Sequence, residues 1–326
     1  MIEPGMITRR TALATGLSLL PAAIGLAPAT AAPVRRREGR FRLPGGRRIG
    51  YAEYGDPAGP LVFYFHGTPG SRIEAGMLEQ EICTAGLRLV ALERPGIGLS
   101  DYQPGRRILD WPADVASIAD QLGYADSAFG VIGLSGGTPY ALACVKCLPH
   151  RLTHVAIVSG HTPPGAGVEQ GSADRLITLI ERRPRLGRIG LNVADRQLSR
   201  NPERFADRVM RSWAPADQQL VNCNAGYRQT MIRTLEEATR CGTAGIQTDV
   251  TLLGRPWGYR LCDLPPAAVS IWHGSCDTIA PISMGRYFHR TIAGSELIID
   301  AKAAHVTMMK WYAAEILARF SAAGAS

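Results

Sequence analysis

The fold is decided by Ala128-Phe129-Gly130-Val131-Ile132-Gly133-Leu134-Ser135-Gly136-Gly137, a stretch that runs on into Thr138 to Leu148. Its first part is a near-continuous apolar run of strand length, its sequel has helical period, and G-x-S-x-G lies between them. In a chain with 36 Gly the pentapeptide alone arises by chance roughly 0.2 times. The strand before it and the helix after it give it meaning. Small residues two positions before and after Ser135 let the backbone turn sharply and leave Oγ exposed, as an attacking hydroxyl requires. The competing reading is an ordinary turn serine.

Outward from that elbow the same alternation recurs. Short apolar segments at 61–65, 87–92, 153–158, 268–272 and 296–299 are bounded by Gly, Pro or Asp and separated by stretches of helix length, and residues 40–54 form a hairpin around Pro44-Gly45-Gly46. Strands apolar on both sides and joined by helices mean a parallel sheet covered on both faces, so the fold class is α/β. The core occupies 40–160 and 266–326. Residues 161–265 carry eleven acidic residues and fifteen Arg with helical character and are too long for a structureless loop, so they are expected to be a helical cap inserted into the core. Within it, Trp257 and Tyr259 line a substrate cleft or pack a hinge.

Composition removes several classes. With 46% hydrophobic and 20% charged residues in 326, the chain is globular, neither disordered nor coiled coil. The net charge of +8 comes almost wholly from Arg interleaved with Asp and Glu, with Lys only at 146, 302 and 310, which argues against a nucleic-acid or membrane-binding stripe. Residues 1–31 combine Arg9-Arg10, an apolar run and Ala29-Thr30-Ala31, the pattern of a Tat-type signal peptide. Export to the periplasm or outside the cell follows, with a cytoplasmic location if the segment is not a true signal. The apolar run is too short and interrupted for a permanent membrane anchor. Seven Cys without framework spacing do not indicate a disulfide scaffold; Cys144 and Cys147 lie in an apolar helix and read as packing. No residue pattern calls for a metal or organic cofactor.

A serine that attacks a carbonyl needs N–H donors for the oxyanion. His66-Gly67-Thr68-Pro69-Gly70 follows the 61–65 strand; Pro69 has no N–H, so the donors are expected to be the amides of Thr68 and Gly136. The Thr68 side chain is then dispensable. His66 orients this loop or is simply a packed imidazole.

The HGTPG loop, Glu93-Arg94-Pro95-Gly96-Ile97-Gly98-Leu99-Ser100-Asp101, the GLSGG elbow and His273-Gly274-Ser275-Cys276-Asp277 together resemble landmarks of the α/β-hydrolase superfamily, from about residue 40 to the end. Two positions depart from the usual pattern: Glu93 stands where Asp is normal, and Ala304 where Gly is normal. The resemblance implies the order nucleophile, acid, histidine: Ser135, Asp277 and His305, with Asp263 and Asp300 as competing acids and His289 as the other late histidine. His161 and His273 also end strands and read as structural. The resemblance further implies a serine hydrolase working on a small-molecule substrate, most simply a carboxylic ester. Alternatives are a proline-iminopeptidase-like aminopeptidase, a cofactor-free haloperoxidase and a non-catalytic binding protein of the same fold. Bond type, acyl preference and oligomeric state are not legible.

Overall fold

A computed structural model describes residues 36–322; the expected export signal at 1–31 lies outside the described residues. Eight strands form one sheet in the order β1-β2-β4-β3-β5-β6-β7-β8. The hairpin is β1 (Arg37–Arg42) and β2 (Arg48–Gly55), and β2 also runs antiparallel to β4 (Arg88–Leu92). From β4 across β3 (Leu61–Phe65), β5 (Phe129–Leu134), β6 (Leu152–Val158), β7 (Val269–Gly274) and β8 (Glu296–Asp300) every pairing is parallel.

Parallel neighbours need crossovers, and these supply helices to both faces. One face is covered by α1 (Glu79–Thr84), α11 (His305–Trp311) and α12 (Ala313–Ala322), the other by α2 (Trp111–Gln121), α3 (Thr138–Cys147) and α10 (Ile282–Thr291). Strand β3 shows why its sequence is apolar throughout. Leu61, Phe63 and Phe65 face the α2–α3 side, while Val62 and Tyr64 face the α12 side. Cys144 is buried in α3, but Cys147 is exposed at its end, so only the first of the two serves packing.

Between β6 and β7 lie six helices: α4 (Ser172–Arg182), α5 (Pro184–Arg200), α6 (Pro202–Met210), α7 (Pro215–Cys223), α8 (Ala225–Ala238) and α9 (Ala244–Leu253). Their starts are written locally. Pro occupies the first turn of α5, α6 and α7, where a missing N–H costs nothing, and Asn201 and Asn224 cap α6 and α8 by accepting from Arg204 N and Tyr227 N. Helices α4, α5 and α9 pack together, while α7 packs on α11 and α8 on residues 72–78 of the core. The chain returns through Trp257, which is buried in the main core, and Tyr259, which donates to Pro139 O at 2.6 Å. These two aromatics therefore pack the hinge.

Strand β3 sits between β4 and β5, so the chain leaves it to one side and comes back on the other. At such a reversal the connections diverge and leave a crevice at the carboxyl ends of the strands. The loop carrying Thr68 leaves β3 there, and Ser135 leaves β5 there. The core behind the crevice depends on full packing: Phe63 is wholly buried, edge-on to Phe129 with ring centroids 5.1 Å apart. Phe63→Ala is expected to lower unfolding stability by about 3–5 kcal/mol in a urea titration.

Candidate active site

Strand β5 delivers Ser135 at φ 51°, in the left-handed region that a residue with a side chain rarely enters. Close backbone approach fixes that turn. A Cβ on Gly137 would stand 2.2 Å from Phe65 O, and a Cβ on Gly136 would stand 2.4 Å from Thr68 Oγ1 and 3.2 Å from Thr68 N. Elbow and loop thus touch only because both residues are glycine. Among the described residues neither the Thr68 nor the Gly136 N–H donates a hydrogen bond, which leaves two amide donors at the contact.

The first residue of α11 is His305, whose Nδ1 lies 2.8 Å from Asp277 Oδ2. The other Asp277 oxygen accepts from Ile279 N and Ala280 N, both at 2.8 Å, so the carboxylate is fixed in direction. Burial pushes the Asp277 pKa up, but the charge and hydrogen bond of His305 outweigh it and hold the carboxyl below its ordinary range. Burial pushes His305 down, and Asp277 more than compensates by charge and hydrogen bond, with Asp217 and Glu74 adding to it. The imidazole therefore titrates above its ordinary value.

Ser159, directly after β6, ties the strand ends together. Leu134 is paired with Val158, and Ser159 Oγ donates to His305 O at 2.8 Å, so residues 135 and 305 both border the end of β6. Ser135 Oγ makes no hydrogen bond among the described residues; in unliganded serine hydrolases the Ser–His contact commonly tightens only with substrate. The competing acids are spent elsewhere. Asp300 closes a turn onto Lys302 N and Ala303 N, and Asp263 lies 3.8 Å from Arg260. His289 sits within α10 beside Ser295, and His273 Nε2 donates to Ala280 O at 2.7 Å.

No family model matches the chain. A 78-residue stretch is 35% identical to a pimeloyl-[acyl-carrier protein] methyl ester esterase of Neisseria meningitidis, covering 24% of this chain and 25% of that protein. The chain therefore spans about a quarter of the length of that curated relative. Among solved structures, an alpha/beta hydrolase fold protein from Nakamurella multipartita superposes with a TM-score of 0.65 at 18% identity, over 88% of this chain and 100% of that one. The esterase RhEst1 from Rhodococcus sp. ECU1013 gives 0.60 at 21% identity, over 89% and 99%.

The chain has the α/β-hydrolase fold.

On this hydrolase fold, four charged residues stand around the crevice that motif and spacing had not singled out for the site. Glu74 is buried and its Oε2 accepts from Gly67 N at 2.8 Å and from Tyr64 OH at 3.1 Å; burial raises its pKa to about 6. Arg94, in the landmark segment 93–101, is wholly buried and donates to His66 O at 2.6 Å, to Gly67 O and Thr68 Oγ1 at 2.8 Å, and to Asp249 Oδ2 at 2.6 Å. Asp249 comes from α9 of the insertion. It also accepts from Arg106, from Tyr140 OH at 2.8 Å and from Thr68 Oγ1 at 3.2 Å. Burial opposes its charge, but the two guanidiniums hold its carboxyl far below the ordinary range.

The Thr68 side chain is nonetheless engaged: its hydroxyl accepts from Arg94 and donates to Asp249. His66 is a packed imidazole that also orients the loop, with Nδ1 2.8 Å from Gly67 O, and burial beside Arg94 pushes its pKa down to about 3. The fourth residue, Asp217 of α7, caps the start of α11. It accepts from His305 N and Thr307 N at 2.9 Å and from Thr307 Oγ1 at 2.8 Å.

A cavity of ≈ 430 Å³ is lined by His161, Asp174, Ile177, Leu253 and Met284. His161 is buried at its wall with Nε2 3.4 Å from Asp174 Oδ1, and burial pushes its pKa down. Neither Ser135 nor His305 is part of the lining. The Arg94–Asp249–Arg106 cluster supplies a direct stability test. Asp249→Ala leaves two buried guanidiniums without their anion and is expected to lower unfolding stability by about 3–5 kcal/mol, measured by chemical denaturation.

Proposed function

We propose that this protein is a serine hydrolase that cleaves carboxylic esters of small or medium size through an acyl-enzyme. The observation that carries the reading is the His305 Nδ1 to Asp277 Oδ2 bond of 2.8 Å beside the strand end from which the strained Ser135 elbow projects. With Nδ1 committed to Asp277 as a donor, Nε2 of the neutral imidazole is the free acceptor for the Ser135 proton.

In the forward step Ser135 Oγ bonds to the ester carbonyl carbon as His305 takes its proton. The carbonyl oxygen becomes an oxyanion between the Thr68 and Gly136 amides. Collapse breaks the bond to the alcohol oxygen, which leaves with the proton from His305. A water then gives its proton to His305 and attacks the acyl carbon, and Ser135 is re-protonated as the acid departs. In this reading the insertion is the cap, and the cavity beside His161 takes part of the substrate. The partial likeness to a methyl ester esterase supports ester over amide bonds. The twin-arginine start supports action after export from the cytoplasm.

A fluorophosphonate probe is expected to label the folded protein on Ser135, with labelling lost in Ser135→Ala. An unlabelled but folded protein would favour a binding role. A panel of p-nitrophenyl esters beside prolyl and alanyl anilides then separates esterase from aminopeptidase.

The pH profile has a defined sign. The base must be neutral, and Asp277 holds the His305 pKa above 6.5, so kcat/KM is expected to climb with an acid-limb midpoint above that value. Asp277→Asn removes the raising charge, so the midpoint moves to lower pH while kcat falls by about 10⁴. Glu74, with its pKa at about 6, is the other group able to shape this limb, and Glu74→Gln is expected to leave the His305 step in place.

A further inference from the structure

The two helices that open the insertion carry an exposed apolar surface that no element among the described residues covers. On α4, Leu176 and Leu179 are 52% and 53% exposed; on α5, Leu186, Ile189 and Val193 are 57%, 59% and 44% exposed. These spacings of three and four residues put each set on one helical stripe. Both helices pack against α9 and against each other, with Gly187 close to Ile180. Five large aliphatic side chains on one short hairpin exceed the scattered exposure ordinary for a soluble surface.

The charges around this surface are sorted by depth. Arg175, Arg182, Arg183, Arg185, Arg188, Arg196 and Arg200 are all exposed, whereas Asp174, Glu181 and Asp195 are only half-exposed. Asp174 is spent on His161 and Glu181 on Arg255. None of the seven Arg forms an ion pair among the described residues. An apolar stripe rimmed by free guanidiniums is the pattern of a helix lying in a lipid interface, where aliphatic side chains enter the acyl boundary and Arg meets phosphate. A protein partner would more usually be met by rim charges of both signs.

We propose that the α4–α5 hairpin docks on the surface of a bilayer containing anionic phospholipid. The docking is peripheral, since no helix among the described residues is long and apolar enough to cross a membrane. It also gives the cavity a location. Ile177, Thr178, Glu181 and Arg182 line it from α4, so its rim would stand at the lipid surface.

The test is co-sedimentation with vesicles, on the full chain so that any contribution of residues 1–31 is common to every variant. The readout is binding and does not depend on ester hydrolysis. The protein is expected to sediment with phosphatidylcholine vesicles containing phosphatidylglycerol, far less with phosphatidylcholine alone, and to be released by high salt. Arg182→Ser with Arg183→Ser is expected to weaken partitioning on the order of tenfold. Leu186→Asp with Ile189→Asp is expected to abolish the preference for anionic vesicles, each variant keeping its thermal midpoint.

Equal sedimentation of all variants would overturn the proposal. So would a dimer in analytical ultracentrifugation that the Asp substitutions dissociate while vesicle binding is absent, since the face would then belong to a second copy. The arginine pair, being exposed, keeps the test decisive if the Asp variant does not fold.

Discussion

The guanidinium of Arg94 is the interaction on which the candidate site rests. It is buried without any contact to water, so each N–H must be answered by the protein, and the answers are the carbonyls of His66 and Gly67, the hydroxyl of Thr68 and the carboxylate of Asp249. Its charge also lies 4.9 Å from the Tyr140 ring centroid. An ion pair of this depth is poor evidence of extra stability, because desolvation consumes most of the Coulomb gain. Its value is directional: four acceptors satisfied by one rigid fork fix the path of the loop that carries the Thr68 amide.

Asp249 belongs to the insertion, so the loop after β3 is held from outside the core. The same logic recurs on the other side of the crevice, where Asp217 of α7 accepts from the main chain of His305 and Thr307. Two insertion carboxylates thus hold the loop of Thr68 and the main chain of His305. Their electrostatic effects differ. Asp249 is neutralised by Arg94 and Arg106 and sends little field into the crevice, while Asp217 and Glu74 reinforce Asp277 in favouring a protonated His305. A site that stabilises the imidazolium is suited to a reaction in which that cation forms twice.

The strand pattern, the elbow and the loop after β3 were legible because each is a local pattern, and the contact of Asp277 with His305 matches the order along the chain that the resemblance implied. The hairpin at 40–54 and the helical nature of 161–265 were legible for the same reason. Arg94, Glu74, Asp217 and Asp249 were not. Buried charge carries no signature in a single sequence when its partner lies far along it: Arg94 and Asp249 are 155 residues apart and His305 and Asp217 are 88 apart. Glu74 was closer to reach, since it stands seven residues after the Gly67 it supports, yet a lone Glu after a loop reads as solvent-facing. Trp257 and Tyr259 show the converse limit, because an aromatic pair has the same composition in a cleft and in a hinge.

Charge distribution makes the same point on the outside of the molecule. Along the sequence of α4 and α5, Arg alternates with Asp and Glu closely enough to look like a mixed, self-compensating surface. Folding separates what the sequence mixes: Asp174 pairs with His161 and Glu181 with Arg255, whereas the seven arginines are exposed and form no ion pair among the described residues. A helix repeats every 3.6 residues, so charges two or three positions apart are assigned to different environments once one face is buried. The hairpin that results is apolar where it is most exposed and cationic around that region, and it shares its inner wall with the cavity beside His161. The α4–α5 hairpin therefore presents two different faces, one lining that cavity and one left exposed.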